Sequence, residues 1–181
     1  MIIGASRITQ NKYTCRKRKL EQRYSDLKSL YMQLQPNVIK YPVANFFRFD
    51  MLSKLTVISI ALALFDAKIA YAQNKKQMIC ILGTNPAGAL DANLAYFNDY
   101  ISNGRTLARG NLFIYTLPSS PLAEAAIHFG LTGKLQYLGF TKDTESDSLK
   151  YALNMLKTHD SKTILLVNAS TQAASCKVLQ K

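Results

Sequence analysis

The sequence predicts a single α/β domain whose sheet is mainly parallel or mixed and is covered by helices. Short continuous apolar runs occur at residues 77–83, 135–140 and 163–167, and such runs are typical of strands buried on both faces. Segments with apolar residues at helical spacing separate these runs, and strands that alternate with helices favour parallel pairing. The 181 residues are enough for one hydrophobic core.

The first fifty residues predict a strand, a helix and a loop. Residues 2–8 (IIGASRI) are the first strand candidate. A helix is predicted over about 18–34, because apolar residues recur there at heptad spacing. These residues are Leu20, Tyr24, Leu27, Tyr31 and Leu34. Pro36 and Pro42 then predict a loop.

The segment 51–73 has two interpretations. Asp50 is a suitable N-cap, and apolar residues follow on every side of the predicted helix, which is typical of burial in a core or in a membrane. The same segment resembles a signal peptide, with Lys54 near its start and Ala-Tyr-Ala at 70–72 in the form of a cleavage site. We favour the buried helix, because the segment begins fifty residues into the chain and its charge-free part is too short to span a bilayer.

Residues 89–130 predict two helices that flank an apolar run. The first covers about 89–102 and ends before Gly104. Residues 111–117 (NLFIYTL) are apolar and are predicted to be extended. Ser120 can cap the second helix, which Gly130 ends, because glycine adopts the left-handed cap without a Cβ penalty.

A further helix and strand complete the predicted domain. Thr144 or Ser146 can cap a helix with Leu149, Ala152, Leu153 and Leu156 on one face. Residues 163–167 (TILLV) are the last predicted strand, and residues 171–181 are predicted to be a polar tail or a short helix.

The net charge of +12 is typical of a solvated basic face, or of a protein with an anionic partner, which could be nucleic acid, an anionic membrane or an acidic protein. No interleaving of aromatic and basic residues of the kind that binds single strands is present. The three cysteines have no metal-ligand spacing and predict neither a disulfide framework nor a zinc site. A reducing, cytoplasmic location fits them. Cys80 is predicted to be buried in a strand, whereas Cys15 and Cys176 lie in polar ends.

The segments AAIHFGLTG, LQYLGF and TKDTES, at 125–133, 135–140 and 141–146, resemble a known family. They are similar to the N-terminal half of a β-ketoacyl synthase, which has the thiolase-like fold, and Arg48-Phe49-Asp50 before a long helix is similar too. The resemblance implies one ketosynthase N-terminal-like domain over 1–181, with a divergent basic segment at 1–46 and the best-matching core at 47–170. A family ketosynthase is about twice as long.

Lys142 occupies the position that the resemblance assigns to the catalytic cysteine. A ketosynthase needs a thiolate at a helix N-terminus, where backbone amides lower the thiol pKa, and an ammonium group cannot form the acyl thioester. Asp143, Glu145 and Asp147 are expected to hold this ammonium charged. The resemblance therefore implies no catalytic residue, and we expect no cofactor and no metal.

The function implied is a non-catalytic ketosynthase-like subunit, or a chain-length-factor-like subunit, in fatty acid, polyketide or aryl-polyene biosynthesis. The expected partners are an acyl carrier protein and a catalytic ketosynthase, or a second copy bound through strand 135–140. Neither nucleic acid nor a membrane is favoured. A chain with only the N-terminal half of this fold should also expose the apolar surface that the second half covers in the family. Such a surface implies a partner.

Two alternatives remain open. A divergent acyltransferase could use Lys142 or a hydroxyl from Thr141, Thr144 or Ser146, although no histidine lies nearby in the sequence to serve as base. A basic binding module for nucleic acid or membrane would instead use the positive charge.

Overall fold

The protein is described by a computed structural model for residues 1–104, 109–139, 144–158 and 161–181. Seven strands form one mixed sheet in the order β3-β2-β1-β7-β6-β4-β5. The strands are β1 (Ile2–Thr9), β2 (Lys12–Cys15), β3 (Leu20–Arg23), β4 (Cys80–Thr84), β5 (Leu135–Leu138), β6 (Thr163–Ala169) and β7 (Ala173–Gln180). The α-helices are α1 (Leu27–Leu34), α2 (Met51–Asp66), α3 (Leu90–Asn103), α4 (Gly110–Phe113), α5 (Ser120–Phe129) and α6 (Thr144–Lys157).

The strand directions fit the connections between them. β4 pairs in parallel with β5 and β6. Helices α3 to α5 lie between β4 and β5 along the chain, and α6 lies between β5 and β6. β7 is antiparallel to both β6 and β1, so that β1 runs in the same direction as β6. β2 and β3 extend the β1 side as an antiparallel meander. The predicted α/β class with a mixed, helix-covered sheet is confirmed.

Side-chain alternation along the strands builds one core on each face of the sheet. In β6, Leu165 and Val167 belong to the core that contains α2 and α5, whereas Ile164 and Leu166 pack with the apolar face of α6. The crossover helices α5 and α6 therefore lie on opposite faces of the sheet.

Helix α2 is the centre of the larger core. Asp50 caps it by accepting a hydrogen bond from the Ser53 backbone N–H at 2.8 Å. Its leucines, isoleucines and alanines are almost fully buried between the sheet and α5, which explains why the helix is apolar on every side. Of the helices described, none has both the length and the apolar character needed to cross a membrane.

The carboxylate of Asp66 fixes the end of α2 to β1 and to the β2–β3 turn. Asp66 is 1% exposed and accepts hydrogen bonds from the backbone N–H groups of Ala5, Lys17 and Arg18 at 2.8–3.0 Å. These bonds join β1 and the basic β2–β3 turn to the helix. They also give partners to backbone N–H groups that would otherwise be left without a hydrogen bond.

The predicted helix over 18–34 is wrong in its first half. Residues Leu20–Arg23 form β3, which pairs with β2, and α1 begins only at Leu27. Asp26 stops the strand and caps the helix, because its side chain accepts hydrogen bonds from the Lys28 and Ser29 backbone. The heptad spacing of apolar residues fitted a short strand followed by a short helix equally well.

The extended segment predicted at 111–117 is also wrong. Residues Gly110–Phe113 form α4, and Ile114–Thr116 form a 3₁₀ turn. A short apolar run does not distinguish strand from helix by itself.

The predicted polar tail at 171–181 is instead β7, a strand inside the sheet. Ala174, Cys176 and Val178 point into the α2 core and are buried. Cys15 lies on the same face in β2 and is also buried, so the assignment of Cys15 and Cys176 to polar ends was wrong. Cys80 is buried at the start of β4, as predicted.

Gly130 ends α5 as predicted. It adopts φ = +65°, and its backbone N–H bonds to the Ala126 carbonyl. Ser119 precedes the helix, so Ser120 is its first residue and not its cap. The helix at 89–102 is confirmed as Leu90–Asn103, with Gly104 directly after it.

Candidate functional site

The predicted nucleophile position, Lys142, lies outside the described residues, as do Thr141 and Asp143. The structure describes both flanks. β5 ends at Leu138 beside Thr84 of β4, and α6 begins at Thr144 and packs mainly on β6. The strand and helix expected on either side of position 142 are therefore present.

The acidic residues in the first turn of α6 have partners of their own. Glu145 forms an ion pair with Lys177 of β7 at 2.5 Å. The hydrogen bond and charge of Lys177, with a contribution from Arg7, lower the pKa of the Glu145 carboxyl. Asp147 lies 3.4 Å from Lys150, one turn along the helix. Glu145 thus neutralises a lysine of the sheet.

His128 lies on the opposite face of the sheet from α6. Its ring packs against Tyr41 and Phe129, with centroids 4.7 Å away in both cases. Burial lowers its pKa from 6.5 to about 4, so the ring is neutral near pH 7. Its Nε2 atom has no hydrogen-bond partner in the described structure. His128 is therefore a half-buried member of an aromatic cluster and not a general base for α6.

The cysteines do not supply a substitute nucleophile. None forms a disulfide, and all three are buried. Burial raises the pKa of the Cys15 thiol to about 12 and also raises that of Cys176. Thiols of this kind are inert, because the thiolate is the reactive form. Within the described ranges, no group of histidine, cysteine, aspartate and glutamate side chains could hold a metal ion.

A cleft lies at the carboxyl end of the parallel strands, beside the first turns of α6. It has a volume of about 210 Å³. The cleft is lined by Arg7, Thr84, Glu145, Ser148, Leu166, Asn168, Ser170, Ala173, Ala174, Ser175 and Lys177. Sequence reasoning missed this cleft. The signal available was the alternation of Ala174, Cys176 and Val178 with Ser175 and Lys177, which marks a strand with one polar face.

Among the described residues, strand β5 forms an open edge of the sheet. The Ile81 backbone N–H bonds to the Lys134 carbonyl at 2.9 Å. Because hydrogen bonds alternate in direction along a parallel strand, the backbone groups of Leu135 and Tyr137 point away from β4. The predicted strand 135–140 therefore offers unpaired donors and acceptors over its described part.

An exposed apolar surface lies on α3, α4 and the turn after α4. Its members are each half or more exposed, and they are Leu90, Leu94, Phe97, Ile101, Phe113, Ile114 and Leu117. We call these seven residues the α3–α4 surface. On the described part of α6, the exposed large apolar side chains are only Tyr151 and Leu153, at 39% and 36%. Seven of the fifteen exposed large apolar side chains among the described residues therefore belong to the α3–α4 surface.

The two ends of the α3–α4 surface lie near the open edge. The Tyr137 hydroxyl on β5 donates a hydrogen bond to the Asn85 carbonyl, before α3. Pro118, directly after the surface, lines a small cavity together with Tyr137.

Solved structures of ketosynthases have this fold. The chain is similar to a ketosynthase in complex with its chain length factor from Xenorhabdus doucetiae, with 15% identity, a TM-score of 0.59 and coverage of 78% of this chain and 62% of that one. It is similar to the ishigamide ketosynthase/chain length factor, with 10% identity, a TM-score of 0.69 and coverage of 99% and 61%. A third similar structure is a type II polyketide synthase acyl-carrier protein in complex with its ketosynthase, with 8% identity, a TM-score of 0.66 and coverage of 99% and 57%.

The chain spans about three fifths of the length of these three chains. No protein-family model matches the sequence, and no curated protein matches it. The order and direction of the strands and the high coverage of this chain show the fold. The protein therefore has the α/β thiolase-like fold of the β-ketoacyl synthases.

Proposed function

We propose that this protein is a non-catalytic ketosynthase-like subunit that pairs with a catalytic ketosynthase through the β5 edge. The observation that carries this proposal is the combination of a ketosynthase-like fold with an open sheet edge beside exposed apolar surface. Lys142 at the position of the nucleophile makes the subunit non-catalytic. Fatty acid, polyketide or aryl-polyene synthesis is the corresponding pathway class.

The β5 edge supports pairing because backbone groups at a sheet edge can hydrogen bond to a strand of another chain. The strand is short, so its hydrogen bonds need additional buried surface to give a stable complex. The α3–α4 surface provides that area, because its seven large apolar side chains are at least half exposed and patches of this kind mark interaction sites.

An acidic acyl carrier protein is the second partner that we propose. The net charge of +12 gives long-range attraction for an acidic partner. The β2–β3 turn, Arg16 to Lys19, is exposed on all four residues, and Asp66 holds its backbone in place. Three cysteines without a disulfide fit a reducing compartment such as the cytoplasm.

Acyl transfer to the protein provides the test of its non-catalytic character. The purified chain is incubated with an acyl thioester, and its intact mass is measured beside a cysteine-bearing ketosynthase as positive control. We expect an acyl adduct on the control and none on this chain. A stable adduct on Lys142 or on a neighbouring hydroxyl would instead favour the divergent acyltransferase. Co-expression with catalytic ketosynthases of its native cell tests the pairing.

A further inference from the structure

We propose that the cleft beside α6 binds a small oxyanion, carried by a carboxylate or a phosphate group, through Arg7, Ser175 and Asn168. This inference does not depend on the pairing proposed above.

The three side chains form one row across the sheet. Arg7 of β1 lies directly opposite Ser175 of β7, and Ser175 lies directly opposite Asn168 of β6. Thr84 of β4 continues the row, because it lies opposite Asn168. Directly paired residues point to the same face of a sheet, so this row faces the side on which α6 packs. Neighbouring strands are about 4.8 Å apart, and a group bound above Ser175 is within reach of both Arg7 and Asn168.

The row interrupts an apolar face. On the same face of β6, Ile164 and Leu166 are buried against α6, and Asn168 follows them at the point where the strand approaches its end. Because β1, β4 and β6 run in the same direction, the row lies at their shared carboxyl ends. In open α/β sheets, ligands bind at this end, where successive crossover helices leave on opposite faces. Here α5 and α6 lie on opposite faces.

The donors of the row are available to a ligand. Among the described residues, the Arg7 guanidinium, the Asn168 carboxamide and the Ser175 hydroxyl form no side-chain hydrogen bond or ion pair. Lys177, which also lines the cleft, is already paired with Glu145. Arg7 thus makes no direct ion pair with a described residue, although its charge helps to lower the pKa of the Glu145 carboxyl. Its planar guanidinium has the geometry to bind a carboxylate or a phosphate with two hydrogen bonds.

The size of the cleft limits the ligand. A volume of about 210 Å³ accommodates a small organic acid or a small phosphate ester, and it is smaller than the cavities that hold drug-sized ligands, which start at about 300 Å³. Arg7 is exposed at the mouth, whereas Ser148 and Thr84 are 2% and 3% exposed at the walls.

Thermal unfolding with added anions tests this site. Sodium phosphate, sodium succinate and sodium chloride are titrated at constant ionic strength, so that general screening is equal in the three arms. We expect phosphate, succinate or both to raise the Tm saturably, by about 3–6 °C at ten times the Kd, while chloride does not. The arm that responds identifies the chemical group.

Four variants test whether the rise in Tm comes from anion binding to the row. Arg7→Gln should weaken the Kd about tenfold or more, since a charged hydrogen-bond donor is lost, and Asn168→Asp should abolish binding by repulsion. Glu145→Gln should tighten binding, because it releases Lys177 and removes a negative charge from the mouth. Arg23→Gln, which changes an exposed cation on β3 outside the cleft, should bind as the wild type does.

The proposal is overturned if neither phosphate nor succinate gives a saturable shift above that of chloride. It is equally overturned if Arg7→Gln and Asn168→Asp bind with the wild-type Kd, or if Arg23→Gln weakens binding as much as Arg7→Gln does. Direct titration calorimetry on folded Arg7→Gln separates lost binding from lost stability.

Discussion

The half-buried ring of His128 predicts that the protein loses stability in mild acid. The ring lies among Tyr41, Tyr71 and Phe129, and its pKa falls from 6.5 to about 4 because burial disfavours the charged form. Above pH 6.5 the ring is neutral in both the folded and the unfolded chain. Below pH 6.5 the unfolded chain binds a proton that the folded chain refuses, so stability falls as pH falls from 6.5 towards 4.

The magnitude follows from the difference in pKa. A drop from 6.5 to about 4 corresponds to at most about 3–4 kcal/mol, at roughly 1.4 kcal/mol for each pKa unit. Because the ring keeps some exposure, we expect about 2 kcal/mol between pH 7.5 and pH 4.5.

The matched variant is His128→Phe, which keeps an aromatic ring in the same pocket and cannot titrate. Urea unfolding of both proteins at several pH values gives the difference between their free energies of unfolding. Other titrating groups, including Glu124, whose pKa burial raises, cancel in that difference. We expect the variant to gain about 2 kcal/mol relative to the wild type as the pH falls from 7.5 to 4.5. Parallel pH profiles for the two proteins would refute the reasoning.

Two further substitutions test the contacts that hold the fold. Asp66→Asn should lower the free energy of unfolding by about 1–3 kcal/mol, because an amide cannot accept all three backbone hydrogen bonds. The control Glu21→Gln removes an exposed ion pair and should change the free energy of unfolding by less than about 1 kcal/mol. Equal losses in the two variants would show that the Asp66 bonds add no stability. Gly130→Ala should cost about 2 kcal/mol or more, because an added Cβ meets the Lys75 carbonyl oxygen at 2.5 Å in a left-handed conformation. Gly110→Ala is its control, since open space surrounds Gly110, and guanidinium unfolding that shows no difference between the two would contradict the close approach.

Local chemistry made several elements predictable from the sequence. Asp50 predicts the start of α2, because its side chain accepts a hydrogen bond from a backbone N–H of the first turn. Gly130 predicts the end of α5, because glycine readily adopts the positive φ that this position has. The continuous apolar run at 163–167 has no polar alternation, which is what a strand buried on both faces requires.

Long-range pairing explains what was missed. β7 looked like a polar tail because Ser175 and Lys177 alternate with its buried residues. Its central place in the sheet depends on pairing with β1, more than 160 residues away. The cleft has the same origin, since Arg7 and Asn168 become neighbours only through β7.

The apolar spacing of α3 predicted a helix correctly but not the environment of its apolar face. Leu94 and Phe97 are half or more exposed. The spacing of apolar residues indicates that a helix face is apolar, but it does not indicate what covers that face. Lys142 as the replacement for a nucleophile remains a prediction from the resemblance.

Sedimentation velocity of the purified protein tests the central proposal most directly, with Tyr137→Pro and Tyr137→Ala as a matched pair. Both variants lose the Tyr137 ring, but only proline removes the outward N–H of the β5 edge. In the absence of a ketosynthase, the edge should pair with a second copy. We therefore expect the wild type and Tyr137→Ala to have an apparent mass of at least twice the 20.2 kDa chain mass. Tyr137→Pro should sediment as a monomer. A stable wild-type monomer that also fails to bind catalytic ketosynthases would contradict the account.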